Sequence, residues 1–349
     1  MAKVTLWSRL GEVASLVATP LLPSHYIALV RPLAATHVRQ ARVEAVHDEV
    51  PGVRTLTLRP GRGWRAHRPG QHVQVGVAIE GRLVTRTYSI SSAPEREDGC
   101  FTITVKAQGR VSNALVRDVV VGAFVTVALP DGDFVIPEGA RPLCITAGSG
   151  ITPVAAMVRS FAARGAMPDL VHVHFARGGV IFDEELRTIA IDHPRYRLVT
   201  IDTSHDPRRC STALLDELVP DWRDRACWAC GPQPLLDALA GTIDPQLLHV
   251  ERFVAARAPL PVDARGGRVR FVASGVTTNA DGRTSLLQVA EAAGLTPKHG
   301  CRMGICHTCD ATMTSGCVRD VRTGTLIDEP GARVQLCVCA AAGDVDLTV

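Results

Sequence analysis

Between residues 41 and 138, apolar and polar positions alternate in short runs. "RTLTLRP", "GQHVQVGVAI", "RTYSISS", "CFTITVKAQ" and "AFVTVALP" are rich in β-branched residues, with Gly or Pro between them. Several short strands at this spacing predict an antiparallel β-barrel. From Pro142 the period changes. "PLCITAGSGITPVAAMVRSFAARG" reads as a buried strand, a Gly-rich turn and a helix. "LVHVHFAR", "YRLVTID" and "ACWACGP" are further buried strands, followed by helical stretches such as "DEELRTIA", "STALLDELV" and "QPLLDALAG". This alternation over 139–254 predicts an α/β, Rossmann-like unit with a parallel sheet and helices on both faces. "AARAPLPVDARGG", 255–267, has no period and reads as a linker. Residues 268–349 then hold a strand, an amphipathic helix, a cysteine loop and "VQLCVCAAAGDVDLTV", a small α+β unit. The chain is therefore multi-domain. Residues 1–40 form an N-terminal extension, with a short helical lead ("LWSRLGEVASLVA") and Pro-rich extended chain. It reads either as a packing arm over another domain or as a surface resting on a membrane or a partner.

Composition narrows the classes of function. The 349 residues are 46% hydrophobic with a formal net charge of +3, which leaves no basic field for nucleic acid. An aromatic content of 4% gives few stacking platforms for single strands. The N-terminus has no uninterrupted apolar core before a small-residue cleavage site, and Glu12, Pro20, Pro23 and His25 interrupt the best membrane-helix candidate. A soluble, cytoplasmic protein is expected. Eleven cysteines in that compartment argue against a disulfide framework. Cys301, Cys306, Cys309, Cys317, Cys337 and Cys339 crowd into the tail, which suggests a metal site.

Four motifs carry chemistry. In "CRMGICHTC", Cys301, Cys306 and Cys309 have the C-x4-C-x2-C spacing of a plant-type [2Fe–2S] site. Gly300 and Gly304 would let the loop wrap and aim backbone N–H groups at the sulfurs. Structural zinc sites more often pair two distant C-x2–4-C knuckles. The fourth ligand is Cys337 or Cys339; on a strand both would face the same side. "RTYS" ends a barrel strand, where Arg86 could neutralise a flavin phosphate, Tyr88 could lie against the isoalloxazine and Ser89 could hydrogen-bond near its reactive nitrogen. Downstream, Gly109, Val111 and Ser112 in "KAQGRVSNAL" precede a helix whose N-terminus could hold a pyrophosphate. "AGSGITP", 147–153, places free N–H groups at the carboxyl end of a strand, where such sheets bind dinucleotides. "ACGPQPL", 229–235, closes a strand and opens a helix; by itself Cys230 reads as a core cysteine.

With these motifs in this order, residues 41–349 resemble the ferredoxin–NADP reductase superfamily, more narrowly its three-domain members with a C-terminal plant-type ferredoxin. The resemblance implies FAD on the barrel (41–138), NAD(P)H on the Rossmann-like unit (139–254) and a [2Fe–2S] cluster on a β-grasp domain (268–349). It implies that Arg86, Tyr88 and Ser89 contact FAD, with Gly109, Val111 and Ser112 at its pyrophosphate. Gly148, Gly150, Thr152 and Pro153 would hold the nucleotide pyrophosphate. Cys230, Gly231 and Pro232 would sit beside the nicotinamide, and Glu251 and Phe253 at the flavin ring. Among the cysteines it favours Cys337 as fourth ligand, beside Cys301, Cys306 and Cys309, with Cys317 a bystander.

Electrons would then run from NAD(P)H through FAD and the cluster to an outside acceptor, with Ser89, Cys230 and Glu251 at the hydride step. No Asp or Glu directly follows "VHVHFAR", and Arg177, with Arg208 and Arg209, is available to a 2′-phosphate, so NADPH is preferred over NADH. "PLLPSHYIALVRPL" and "GWRAHRPGQHVQVGV" are similar to actinobacterial-type reductases that feed membrane fatty-acid (acyl-CoA) desaturases. A desaturase is thus the expected acceptor, with possible peripheral membrane contact through the extension. The alternative acceptor is a soluble ring-hydroxylating or other oxygenase. A zinc-stabilised or redox-sensing module without reductase activity is the reading from another class. The tail from Arg265 carries nine Lys/Arg against eight Asp/Glu, so no acidic docking face is expected.

Overall fold

The computed structural model describes residues 30–34, 38–253 and 264–349. Most of the N-terminal lead, and residues 255–263 of the linker, lie outside the described residues. Pro32–Ala34 form a 3-10 turn against the barrel, where the Leu33 carbonyl accepts the Arg62 N–H at 2.7 Å.

Six strands make the first unit: β1 (Gln40–Val50), β2 (Val53–Pro60), β3 (His72–Ile79), β4 (Arg82–Ser89), β5 (Phe101–Lys106) and β6 (Phe124–Val127). Their order is β4-β3-β6-β1-β2-β5, antiparallel throughout, and an Ile90–Ile103 bridge brings the chain just after β4 onto β5. The apolar half of each alternating run points inward, so Val43, Leu56, Leu58, Val73, Val75 and Ile103 are fully buried. Helix α1 (Arg110–Arg117) packs Val111 and Leu115 into the same core.

The second unit is an all-parallel sheet of β7 (Pro142–Ala147), β8 (Leu170–Ala176), β9 (Tyr196–Asp202), β10 (Ala226–Cys230) and β11 (Leu248–Glu251), ordered β11-β10-β7-β8-β9. Helices α2 (Ile151–Ala163) and α3 (Asp183–Asp192) cover the face carrying Cys144, Tyr196 and Trp228. Helices α4 (Thr212–Leu218) and α5 (Gln233–Ala240) cover the face carrying Leu143, Ile145 and Ala229. Strand order reverses between β7 and β10, and a doubly wound sheet opens its ligand crevice at that point. The Trp228 indole donates to the Val135 carbonyl at 3.1 Å and Ser160 to Glu95 at 2.8 Å, tying this unit to the barrel side.

The third unit holds β12 (Gly267–Phe271), β13 (Val276–Ala280), helix α6 (Leu286–Ala292), β14 (Asp310–Asp320), β15 (Leu326–Ile327), β16 (Arg333–Gln335) and β17 (Cys339–Leu347). Its mixed sheet runs β13-β12-β17-β14-β15, with β16 on β14, and α6 packs Leu286 and Leu287 onto Phe271, Met313 and Leu347. The expected three-part architecture is therefore present.

One polar network crosses the parallel sheet. Thr146 bonds His172 Nε2 at 2.8 Å and His174 Nδ1 at 2.7 Å, and His172 Nδ1 meets the Tyr196 hydroxyl at 3.1 Å, all in full burial. Burial holds the His174 imidazole down to about 4 and pushes His172 well below the ordinary range. The unfolded chain therefore binds protons that the folded chain refuses, and stability rises with pH between about 4 and 6.5. His174 alone is expected to remove about 3 kcal/mol as pH falls through that window. Urea unfolding of the protein at pH 7 and pH 5 measures this; a His174→Gln variant should show a smaller loss.

Candidate active site

The carboxyl end of β4, the start of α1 and the loop after β7 face one cleft of about 300 Å³. Arg86, Tyr88 and Ser89 line it from the strand, Gly109, Val111 and Ser112 from the helix, and Ser149, Thr152 and Phe253 from the nucleotide unit. Gly109 is the N-cap of α1, so Val111 and Ser112 lie in its first turn, not before it as the sequence suggested. Ser112 Oγ accepts the N–H groups of Gly109 (2.8 Å) and Gln108 (3.0 Å), which fixes the turn. The Val111 side chain is buried in the barrel core, which leaves its backbone for any ligand.

The electrostatics suit an anionic, partly aromatic occupant. Arg86 is depressed by burial and then by the nearby Arg302 guanidinium, while its Nη1 donates to the Thr85 carbonyl at 2.7 Å. Burial pushes the Tyr88 phenol upward, so it stays protonated. Ser89 is 4% exposed and its hydroxyl has no partner among the described residues. An unpaired buried hydroxyl is costly, and a flavin nitrogen would satisfy it. The residues present thus fit FAD. Thr87, Thr104, Lys106, Gln108 and Arg110 also line the cleft; all but Thr104 lie within the "RTYS" and "KAQGRVSNAL" stretches, though none was singled out. A cavity of about 390 Å³ between barrel and α2 is larger, but His67 there is already bonded to the Ser92 carbonyl and Ser160 to Glu95.

The Gly-rich loop follows β7. Gly148–Gly150 form a 3-10 turn, Thr152 Oγ1 donates to the Ser149 carbonyl at 3.0 Å, and Pro153 sits in the first turn of α2. Gly150 packs so closely on β10 that an added Cβ would stand 2.2 Å from the Cys230 carbonyl oxygen. Gly150→Ala must therefore displace the loop. Its expected effect is about tenfold weaker NADP⁺ binding, equivalent to about 1.4 kcal/mol, read by calorimetry. Cys230 is fully buried, and burial followed by the Glu251 charge drives its thiol far up. It is therefore a neutral S–H. Cys230 pairs with Glu251 across β10–β11, and Gly231 and Pro232 lead into α5. His72 Nδ1 lies 3.5 Å from Glu251 Oε1, an ion-pair distance without hydrogen-bond geometry; sequence reasoning had missed this neighbour. Arg177 follows β8 and is exposed. Arg208 bonds Asp206 and Glu217, and Arg209 the carbonyls of Pro207 and Arg208, all at the surface.

In the cysteine loop, sulfurs meet inward N–H groups. Cys301 N donates to Cys306 Sγ at 3.2 Å, and Met303 N and Cys306 N donate to Cys301 Sγ at 3.3 and 3.4 Å. The neighbouring Cys337 thiol holds Cys309 down to about 6, and the same proximity raises Cys337. The four thiols thus fall into two pairs, 301/306 and 309/337. Among the described residues no three His, Cys, Asp or Glu donors converge on a single ion site. Two pairs suit a two-iron core, one pair per iron, better than one tetrahedral zinc. Cys337 and Cys339 do not share a strand face, contrary to expectation. Cys337 lies in the turn 336–338, while Cys339 opens β17 and is buried among core side chains. Cys317 sits on β14 with its thiol on the Val318 carbonyl.

Residues 60–136 match the oxidoreductase FAD-binding domain and residues 271–342 the 2Fe-2S iron-sulfur cluster binding domain. An NADPH oxidoreductase of Mycobacterium tuberculosis is 41% identical over 98% of this chain and 93% of its own length. The chain belongs to the ferredoxin reductase family. The ferredoxin reductase component of 3-ketosteroid-9-alpha-monooxygenase from the same species is 32% identical over 80% of this chain and 86% of its own. The solved structure of phthalate dioxygenase reductase shares the fold, with a TM-score of 0.61 over 89% of this chain and 97% of its own at 23% identity. As a ferredoxin reductase, the protein is an FAD- and [2Fe–2S]-containing NAD(P)H oxidoreductase. No helix among the described residues is long and apolar enough to cross a membrane.

Proposed function

We propose that this ferredoxin reductase is the reductase component of an oxygenase system, taking electrons from NADPH and passing them singly to an iron-containing oxygenase. The observation that carries the reading is the convergence of Arg86, Tyr88 and Ser89, the Gly109–Ser112 turn, and Ser149, Thr152 and Phe253 on one cleft. FAD, when bound, supplies the conversion of a two-electron hydride into single electrons. Arg86 and the first turn of α1 bind its phosphates, Tyr88 packs on its ring and Ser89 Oγ donates at the ring edge. Gly148, Gly150, Thr152 and Pro153 cradle the nucleotide pyrophosphate, and Arg177 meets the 2′-phosphate. Cys230, Gly231 and Pro232 form the nicotinamide floor, with the neutral thiol excluding water. Glu251, beside His72, accepts and releases the proton that accompanies electron departure, and Phe253 covers the ring. Cys301, Cys306, Cys309 and Cys337 hold the cluster.

The acceptor assignment leans on the relatives that name one. The 3-ketosteroid relative serves a monooxygenase, and the fold neighbour a dioxygenase. The nearly full-length relative is named for NADPH alone, which supports that nucleotide and leaves its acceptor unstated. A membrane desaturase as acceptor rests on the sequence similarity of residues 20–33 and 63–77. Anaerobic reduction of a purified soluble oxygenase and of a desaturase in vesicles, each with NADPH and catalytic amounts of the protein, separates the two. Faster reduction of the oxygenase supports the reading; reduction of the desaturase alone overturns it. Comparable kcat/KM for NADH would remove the role given to Arg177.

A further inference from the structure

The cysteine loop leans on the flavin cleft. At Gly300 an added Cβ would stand 3.4 Å from Gln74 Oε1 of β3. Two residues on lies Arg302; after burial, its charge is the next influence depressing the Arg86 guanidinium, which Glu291 and Cys301 act to raise. The residue before the first cluster cysteine therefore approaches β3, the strand paired with the one that ends in "RTYS".

Arg302 is held in an unusual way. Its backbone has φ +60°, the left-handed region. Its fork grips Glu291 of α6 through both terminal nitrogens, Nη1 to Oε2 at 2.9 Å and Nη2 to Oε1. Nη2 also donates to His299 Nε2 at 2.9 Å, and His299 Nδ1 in turn donates to the Pro297 carbonyl at 3.0 Å. Its Nε is buried without a partner among the described residues. A left-handed non-glycine, an unpaired buried N–H and a second guanidinium nearby each cost stability. A residue retained only as a staple would not combine the three, and strain of this kind concentrates where function requires a fixed geometry.

We propose that Arg302 is the positioning residue for electron transfer from the flavin cleft to the cluster. Glu291 and His299 clamp its charge between Arg86 and the Cys301 ligand, so the loop is fixed against the barrel on the side where electrons arrive. With FAD and the cluster bound, each NADPH would supply two electrons, passed one at a time through the cluster to the outside acceptor, with one proton released to solvent. Each arrival adds a negative charge beside the fixed cation, which favours the reduced cluster. The inference rests on the reductase reading above and adds to it which residue joins the first and third units.

The test compares Arg302→Gln, Arg302→Lys and the unaltered protein by cluster potential, stopped-flow bleaching with NADPH, and melting temperature. In Arg302→Gln the cluster potential is expected to fall, and cluster bleaching to lag flavin bleaching at least tenfold more than in the unaltered protein. The melting temperature should not drop. Arg302→Lys, which keeps the charge and loses the fork, should restore the potential but only part of the rate. An unchanged potential and lag in Arg302→Gln overturn the proposal, as does a lower melting temperature with lost cluster, which would mark a staple. An unaltered protein with no flavin and cluster bands overturns the reductase reading itself, a distinct outcome.

Discussion

Cys337→Ala is expected to abolish the iron–sulfur absorbance while NADPH still bleaches the flavin band. Cys339→Ala is expected to keep both. The difference follows from position. Cys337 sits in a turn with its thiol on Cys309, whereas Cys339 is buried at the start of β17 among core side chains. Without Cys337 one iron lacks half of its thiolate pair, and electrons reach no outside acceptor through the cluster. Removing the Cys339 sulfur instead leaves a small void, at a cost of about 1 kcal/mol. Iron and acid-labile sulfide content, measured beside the spectrum, checks both variants. Cluster loss in Cys339→Ala with retention in Cys337→Ala would reverse the assignment.

Ser89→Ala carries the second large effect. The Ser89 hydroxyl is buried, unpaired and at the mouth of the cleft shared by barrel and nucleotide unit. A preorganised donor at a site of charge development is worth about 10²–10³ in rate when removed. Flavin reduction by NADPH is therefore expected to slow about 100-fold, with FAD content and cluster content unchanged. Cys230→Ala is expected to slow the same step less, because a neutral thiol contributes packing and water exclusion more than charge. Stopped-flow absorbance of the flavin band resolves the two. Equal rates in Ser89→Ala and the unaltered protein would assign the hydroxyl a merely structural place.

Much of this was legible along the chain because it is local. Alternation in "GQHVQVGVAI" and "CFTITVKAQ" put the barrel strands on the page, and the run "PLCITAGSGITP" held a buried strand, its turn and its helix in one stretch. The cysteine loop was equally plain, since three ligands lie within nine residues. What escaped was set by tertiary contact. Whether Cys337 or Cys339 lies in a strand depends on where β17 begins pairing with β14, which residue type does not determine. The surface partners of Arg208 and Arg209, namely Asp206, Glu217 and two backbone carbonyls, were likewise not legible in the sequence. The alternation in "LVHVHFA" would ordinarily send both histidines toward water, yet the sheet is covered on both faces and buries them against Thr146 and Tyr196. Arg302 and Arg86 stand far apart in sequence, so nothing local announces that the charge of one bears on the other.

The central claim, that cleft and cysteine loop form one electron path, is tested most directly by anaerobic NADPH titration of the purified protein. Visible absorption and electron paramagnetic resonance are followed together. The account expects both flavin and iron–sulfur bands to bleach, with a reduced-cluster signal growing as NADPH is added. A flavin band that bleaches while a fully assembled cluster stays oxidised would contradict it.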